Sequence, residues 1–128
     1  GNVGEQINGV VTYNRALSDK CAGGVCPWPD ADCLEIGNNL TRVNVVQAQS
    51  YFSWYAVANA PLILSTRIDT LDARLLKILQ APEVIAINQD YAGRKGMPIN
   101  SPLSEDGTTV WIKQNMQVSL LISHICHI

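Results

Sequence analysis

Residues 28–38 read Trp-Pro-Asp-Ala-Asp-Cys-Leu-Glu-Ile-Gly-Asn, and residues 62–66 read Leu-Ile-Leu-Ser-Thr. The mostly apolar run at 31–36 predicts one buried strand, and residues 62–66 predict a second. Between them, residues 40–60 carry apolar side chains at steps of three and four. This spacing predicts a helix with one apolar face, and Pro61 ends the helix. The order strand, helix, strand indicates parallel βα units.

Helical patterns flank this unit on both sides. Residues 5–20 predict a helix before it, and Asn38 or Asn39 is a candidate N-cap for the central helix. Residues 70–80 predict a further helix with Leu71, Leu75, Ile78 and Leu79 facing inward. A short apolar segment follows at 84–87. The alternation of strands and helices therefore extends over most of the first 90 residues.

The character of the sequence changes after residue 90. Glycines and prolines punctuate residues 90–108, and residues 108–113 and 117–122 then predict the two strands of a hairpin. Two parallel βα units do not cover both faces of their own sheet, and a closed eightfold barrel needs about 250 residues. Because the chain has 128 residues, this pattern favours a piece of a larger fold.

The composition argues against several classes of protein. Hydrophobic residues make up 47% and charged residues 16% of the chain, which is typical of a globular protein and not of a disordered one. The net charge is −2 and the nine lysines and arginines are scattered, so we expect no nucleic-acid partner. No apolar run approaches the roughly 18 residues of a membrane span, so we expect no membrane segment either.

The four cysteines leave the covalent chemistry open. Cys21 and Cys26 either close a small disulfide loop or stay as free thiols. A zinc module built from Cys21, Cys26, Cys126 and His127 is a third interpretation, but the spacings match no established zinc pattern. We therefore expect neither a metal nor a cofactor. Asn39 begins a glycosylation sequon, which favours a secreted, lysosomal or vacuolar protein without deciding the compartment.

Three blocks of the chain, in the same order and with the same spacing, resemble the melibiase-type family of retaining α-galactosidases and α-N-acetylgalactosaminidases. The blocks are residues 28–38, residues 50–56 leading into 60–62, and residues 83–90 followed by Gly93. The resemblance covers roughly residues 25–113. Each block is weak evidence alone, and three in register are a specific signal.

The resemblance implies an α/β fold, a (β/α)8 TIM barrel followed by an antiparallel β domain. Residues 31–36 and 62–66 would be barrel strands 7 and 8, each with its helices. On this basis we expect residues 1–90 to be the C-terminal portion of the catalytic barrel. Residues 91–107 would be a linker, and residues 108–128 the incomplete start of the β domain.

The resemblance also implies a sugar-binding role for the first block. Asp32 would bind the substrate, since a carboxylate accepts hydrogen bonds from adjacent sugar hydroxyls and such charge-assisted bonds are about twice as strong as neutral ones. Cys33 would contact the apolar side of the sugar, and Trp28 would line or support the pocket. Asp30 is expected to be structural. Barrel enzymes bind their substrates at the C-terminal ends of the strands, where Asp32 and Cys33 are expected.

The catalytic carboxylates of the family have no counterpart here. Retaining glycosidases need two carboxylates about 5–5.5 Å apart. The family's nucleophile lies in a block ending Lys-x-Asp, which does not occur in this sequence, and its acid/base would fall at or before Gly1. We therefore expect no catalytic residue in this chain. The family's Asp and Arg after strand 8 stand in reverse order, as Arg67 and Asp69.

Two functions follow as hypotheses. In the first, the chain is a segment of an α-galactosidase that hydrolyses terminal non-reducing α-D-galactosides of oligosaccharides or glycolipids by retaining double displacement, and it is inactive alone because both carboxylates lie upstream. In the second, it is a non-catalytic carbohydrate-binding or interaction module derived from the same barrel. The sequence leaves open galactose against N-acetylgalactosamine preference, and the oligomeric state.

Overall fold

The computed structural model of the chain describes residues 31–38, 42–90, 96–98, 108–113 and 122–127. The helices are α1 (Val45–Ala58), a 3-10 turn (Ile68–Thr70), α2 (Ala73–Leu79) and α3 (Pro82–Gln89), and the strands are β1 (Met97–Pro98), β2 (Thr108–Lys113) and β3 (Ile122–His127). The helix predicted over residues 5–20 lies outside the described residues.

Helix α1 begins and ends at asparagines. The Asn44 side chain accepts a hydrogen bond from the Gln47 backbone N–H at 2.9 Å, and the Gln47 side chain accepts one from the Asn44 backbone N–H at 3.0 Å, which forms a capping box. At the other end Asn59 adopts a left-handed conformation, with φ 58°, two residues before Pro61. The prediction that Asn38 or Asn39 caps this helix is wrong, because the helix begins after Asn44, which accepts the Gln47 N–H as its N-cap.

The C-terminal half of α1 is buried on nearly every side, whereas the sequence predicted one apolar face. From Tyr51 to Ala58 every residue except Ser53 is buried. A helix that is apolar all round lies inside a protein and not at its surface. The core that surrounds α1 combines residues from the preceding loop, the helix itself and one strand: Ala31, Leu34, Ile36, Val43, Tyr51, Phe52, Trp54, Tyr55 and Trp111.

The two predicted strands are represented by a single parallel bridge. Leu34 pairs with Leu64, and the Leu34 N–H donates to the Ile63 carbonyl at 2.7 Å while the Leu34 carbonyl accepts from the Ser65 N–H at 3.1 Å. The parallel direction agrees with the predicted βα order. The chain then turns at Ile36–Gly37, so the described residues do not form an extended strand over 31–36.

Helices α2 and α3 follow the bridge and cover the core. The predicted helix over 70–80 is shorter, because Asp72 caps α2 by accepting a hydrogen bond from the Arg74 N–H at 2.8 Å. Leu75, Ile78 and Leu79 are half-buried and pack on the core, as predicted. The apolar segment at 84–87 lies inside α3, which has Pro82 as its first residue, a position where proline is favoured.

The three described strands form one antiparallel sheet in the order β1-β2-β3. Strand β2 agrees with the prediction, but the described strand that follows it and pairs with it is Ile122–His127, which shares only Ile122 with the strand predicted over 117–122. Both runs are apolar enough to be strands, and periodicity alone does not fix which one pairs with β2. Strand β1 lies within the segment predicted as a linker, and its proline occupies an edge strand, where proline is tolerated.

A glycine brings the chain against the end of α1. The Gly96 N–H donates to the Val57 carbonyl at 2.8 Å. A Cβ at Gly96 would lie 2.5 Å from that carbonyl oxygen and would also clash with the Val57 side chain. We therefore expect Gly96→Ala to lower the free energy of unfolding by about 1–3 kcal/mol, the usual cost of overpacking. Urea unfolding checks this, and Ala86→Gly on exposed α3 surface is the control for a simple glycine–alanine exchange.

Candidate functional site

Asp32 forms a left-handed turn at the start of the described part of the first block. Its φ is 64°, a conformation that few non-glycine residues adopt and in which aspartate is enriched. The Asp32 Oδ1 accepts a hydrogen bond from the Cys33 backbone N–H at 2.7 Å, and the residue is exposed. The carboxylate is therefore held by its own neighbour while remaining accessible to a ligand.

The bridge at Leu34 fixes this turn to the rest of the chain. Leu34 is buried, and both of its backbone polar groups are bonded to the 63–65 segment. Asp32 and Cys33 come two residues and one residue before the bridge. The C-terminal end of a strand would come after the bridge. The bridge itself therefore does not show Asp32 and Cys33 at the C-terminal end of a strand. Cys33 is half-buried and its thiol is free, and Trp28 and Asp30 lie outside the described residues.

A buried tyrosine of α1 holds the backbone of this turn. The Tyr55 hydroxyl donates to the Ala31 carbonyl at 2.8 Å and lies 3.3 Å from the Asp32 carbonyl. The Tyr51 hydroxyl is 3.3 Å from that of Tyr55, and the two rings meet edge to face with centroids 5.0 Å apart. Burial raises the pKa of both phenols, with Tyr55 the more strongly affected. Both hydroxyls therefore stay protonated and able to donate.

Asn88 binds the backbone carbonyl of Tyr55, and Asn59 binds Asn88 in turn. The Asn88 side-chain amide donates to the Tyr55 carbonyl at 3.0 Å and to the Ala60 carbonyl at 2.9 Å, and the Asn59 side chain donates to the Asn88 carbonyl at 2.6 Å. The sequence placed Asn88 in a family block without giving it a role. Its contacts join the end of α3 to the end of α1. They therefore help to hold Tyr55, whose hydroxyl binds the backbone next to Asp32.

Arg67 and Asp69, which stand in reverse order to the family's Asp and Arg, form an ion pair. The guanidinium binds the carboxylate through two nitrogens, at 2.6 and 3.2 Å. Hydrogen bonding to Arg67 lowers the pKa of the Asp69 carboxyl. Both side chains are mostly exposed, so solvent screens the pair and its contribution to stability is small.

A groove of about 570 Å³ is lined by residues of α1, α2 and α3 and of the segment between α2 and α3. Neither Asp32 nor Cys33 lines it. Its lining is mostly apolar and includes two basic side chains. The lining residues are Val45, Gln49, Phe52, Ser53, Arg74, Lys77, Ile78, Ala81 and Val84. The groove and the Asp32 turn are thus separate features of the described part of the chain.

The described residues hold no cluster of three or more histidine, cysteine or acidic side chains that would suit a metal ion. Two members of the zinc interpretation, Cys21 and Cys26, fall outside the residues described, as do Asn39 and the sequon. Cys126 and His127 lie in β3, where they pair in register with Thr109 and Thr108. Among the helices of the described segments, none is both long and apolar enough to cross a lipid bilayer.

Known proteins place this geometry in a class of glycoside hydrolases. The family model described as alpha galactosidase A matches residues 4–90. An α-galactosidase of Oryza sativa is 36% identical over 105 residues, which is 80% of this chain and 24% of that protein. A probable α-galactosidase D of Aspergillus niger is 33% identical over 102 residues, which is 77% of this chain and 15% of that protein.

Solved structures agree with the sequence matches. A putative α-galactosidase of Bacteroides fragilis superposes with a TM-score of 0.69 at 29% identity, covering 86% of this chain and 23% of that one. An α-galactosidase of Saccharomyces cerevisiae in complex with raffinose gives a TM-score of 0.63 at 28% identity, covering 80% and 24%. The chain belongs to the α-galactosidase family. It spans about a quarter or less of the length of these relatives.

Proposed function

We propose that this chain is a segment of an α-galactosidase that removes terminal non-reducing α-D-galactose by a retaining double displacement, and that Asp32 binds the sugar. The observation that carries the proposal is the Asp32 turn: an exposed carboxylate in a strained, well-supported backbone, within a family of galactosidases. Strained residues held by their surroundings are typical of binding and active sites.

The carboxylate suits a sugar with neighbouring hydroxyl groups. An ionised carboxylate accepts hydrogen bonds through both oxygens, and bonds to an ion are stronger than bonds between neutral groups. Oδ1 of Asp32 accepts the Cys33 N–H at 2.7 Å, which orients the exposed carboxylate. Cys33, half-buried next to it, offers a small apolar surface against a face of the sugar ring.

The chemical step needs groups that we do not assign to this chain. A nucleophile attacks the anomeric carbon, and an acid protonates the leaving oxygen and then activates water, with the two carboxylates about 5–5.5 Å apart. Two of the described acids, Asp69 and Asp72, are bound to Arg67 and Arg74 on the surface. We propose that both catalytic carboxylates come from other parts of a barrel.

The proposal predicts that the purified 128-residue chain does not hydrolyse a chromogenic α-galactoside. Release of the chromophore at the rate of a complete α-galactosidase would contradict it. We also expect weak galactose binding that Asp32→Ala abolishes, measured by ligand-observed NMR. Asp69→Ala is the control, because it removes an exposed carboxylate that is paired with Arg67. Binding without turnover would be equally expected of a non-catalytic carbohydrate-binding module. Turnover that is restored when the remaining barrel segments are added would favour the α-galactosidase segment over that module.

A further inference from the structure

We infer that Tyr55 is a positioning residue for Asp32: its hydroxyl holds the Ala31 and Asp32 carbonyls and thereby keeps the backbone in the left-handed turn that presents the carboxylate. The inference deepens the proposed function and rests on it, because it concerns how the proposed sugar-binding group is held. Tyr55 itself does not touch the sugar in this arrangement.

The geometry is specific to the hydroxyl group of Tyr55. Its oxygen is 2.8 Å from the Ala31 carbonyl oxygen and 3.3 Å from that of Asp32, so it contacts the peptide groups on both sides of the Asp32 Cα. The φ angle of Asp32 is 64°. Rotation about the Asp32 N–Cα bond, which would release this strain, moves one of these carbonyls relative to the other and so changes at least one of the two contacts.

The tyrosine is fixed strongly enough to act as a support. Tyr55 is fully buried, and its ring meets those of Tyr51 and Trp54 edge to face at centroid distances of 5.0 and 5.5 Å. Its backbone carbonyl accepts the Asn88 amide at 3.0 Å. Neither the ring nor the helix backbone can therefore follow the loop if the loop relaxes.

The balance of energies makes the hydroxyl decisive. A left-handed conformation of a residue with a side chain costs about as much free energy as one hydrogen bond contributes net. The hydrogen bond that the Asp32 carboxylate accepts from the Cys33 N–H offsets part of that cost. Loss of the hydroxyl should therefore leave only a fraction of the molecules with Asp32 in the left-handed conformation. The apparent Kd for a ligand then rises in proportion as that fraction falls.

The test compares Tyr55→Phe with Tyr51→Phe in the 128-residue chain. Each variant removes one buried hydroxyl from α1, but only the first removes the bond to the Ala31 carbonyl. Two readouts are taken well below the melting temperature: the three-bond amide–Hα coupling of Asp32, which reports its φ, and the Kd for galactose from NMR titration. We expect Tyr55→Phe to change the coupling and raise the Kd at least threefold. Tyr51→Phe should leave the coupling unchanged within error and the Kd within twofold of the unmodified chain's.

Several outcomes would contradict the positioning role of Tyr55 or the proposed function. A purely structural role would lower the melting temperature and leave the coupling and the Kd unchanged, and equal changes in both variants would remove the assignment to Tyr55. If the unmodified chain binds no galactose, the proposed function fails while the Asp32 coupling still tests the positioning. If Tyr55→Phe does not fold, adding Asp32→Gly should restore folding, since glycine accepts positive φ freely. Failure of that double variant to fold would overturn the inference.

Discussion

Trp111→Ala is expected to lower the free energy of unfolding by about 3–5 kcal/mol, the range measured when large buried aromatic residues are truncated. Trp111 is 1% exposed and meets Trp54, also 1% exposed, edge to face with ring centroids 6.1 Å apart. Trp111 lies on β2 and Trp54 on α1. The pair therefore joins the sheet to the central helix, and its loss leaves a cavity between the two.

Equilibrium urea unfolding followed by tryptophan fluorescence checks this expectation, with near-UV circular dichroism reporting the aromatic packing. Val46→Ala is the matched control, because Val46 is on the same helix as Trp54 and is 70% exposed. We expect the control to change stability by less than about 0.5 kcal/mol, as is usual for surface substitutions. A loss below about 1 kcal/mol in Trp111→Ala would mean that the sheet does not depend on this contact.

Local patterns predicted much of the described fold. The three-and-four spacing located the main helix, which the structure gives as Val45–Ala58. The parallel direction of the Leu34–Leu64 bridge also followed from the order of the elements. These features succeed because each depends on periodicity or composition over a short stretch.

Features set by long-range contacts were not predicted. The Tyr55 hydroxyl reaches a carbonyl 24 residues earlier in the chain, and the spacing of Tyr55 only marked it as a residue of the apolar face. The start of α1 was a different kind of miss, because the Asn44-x-x-Gln47 capping box is visible in the sequence. The partner of β2 was wrong because a strand's register depends on the residues it meets across the sheet.

The site followed the same division. The motif identified Asp32 and Cys33 as candidates through a resemblance. It gave no sign that Asp32 would be in a left-handed turn, although aspartate is one of the few residues that tolerate this conformation. The strand over 31–36 was predicted from its apolar content, which burial of Ala31, Leu34 and Ile36 explains without an extended strand. Apolar content predicts burial more directly than it predicts strand geometry.

Lys113 should make the stability of the chain rise with pH. It is 1% exposed, and its Nζ donates to the Ala56 carbonyl at 3.2 Å and to the Ile87 carbonyl, near the ends of α1 and α3. Carbonyls at helix C-termini attract a cation. Burial nevertheless lowers the pKa of this lysine to about 8 from its ordinary 10.5, and Asp90 opposes the effect only in part.

The sign follows from proton binding. Between pH 8 and 10.5 the unfolded chain keeps the Lys113 proton while the folded chain loses it, so the unfolded state binds more protons and stability increases with pH. The gain from this group is at most about 3 kcal/mol, since a difference of one in pKa corresponds to about 1.4 kcal/mol. Above pH 10 the two buried tyrosines act in the opposite direction, because their pKa values are raised in the folded state.

The difference between the chain and its Lys113→Met variant isolates the lysine, because the tyrosines and the other titrating groups are common to both. Urea unfolding at intervals from pH 7 to 10 should show a rise in the unmodified chain that the variant lacks. Asp90→Asn supplies the second comparison: removing the nearby negative charge should lower the pKa of Lys113 further and move the start of the rise to lower pH. Parallel pH profiles for all three proteins would show that Lys113 is hydrated in solution and that its ammonium group is not confined between the two helix ends.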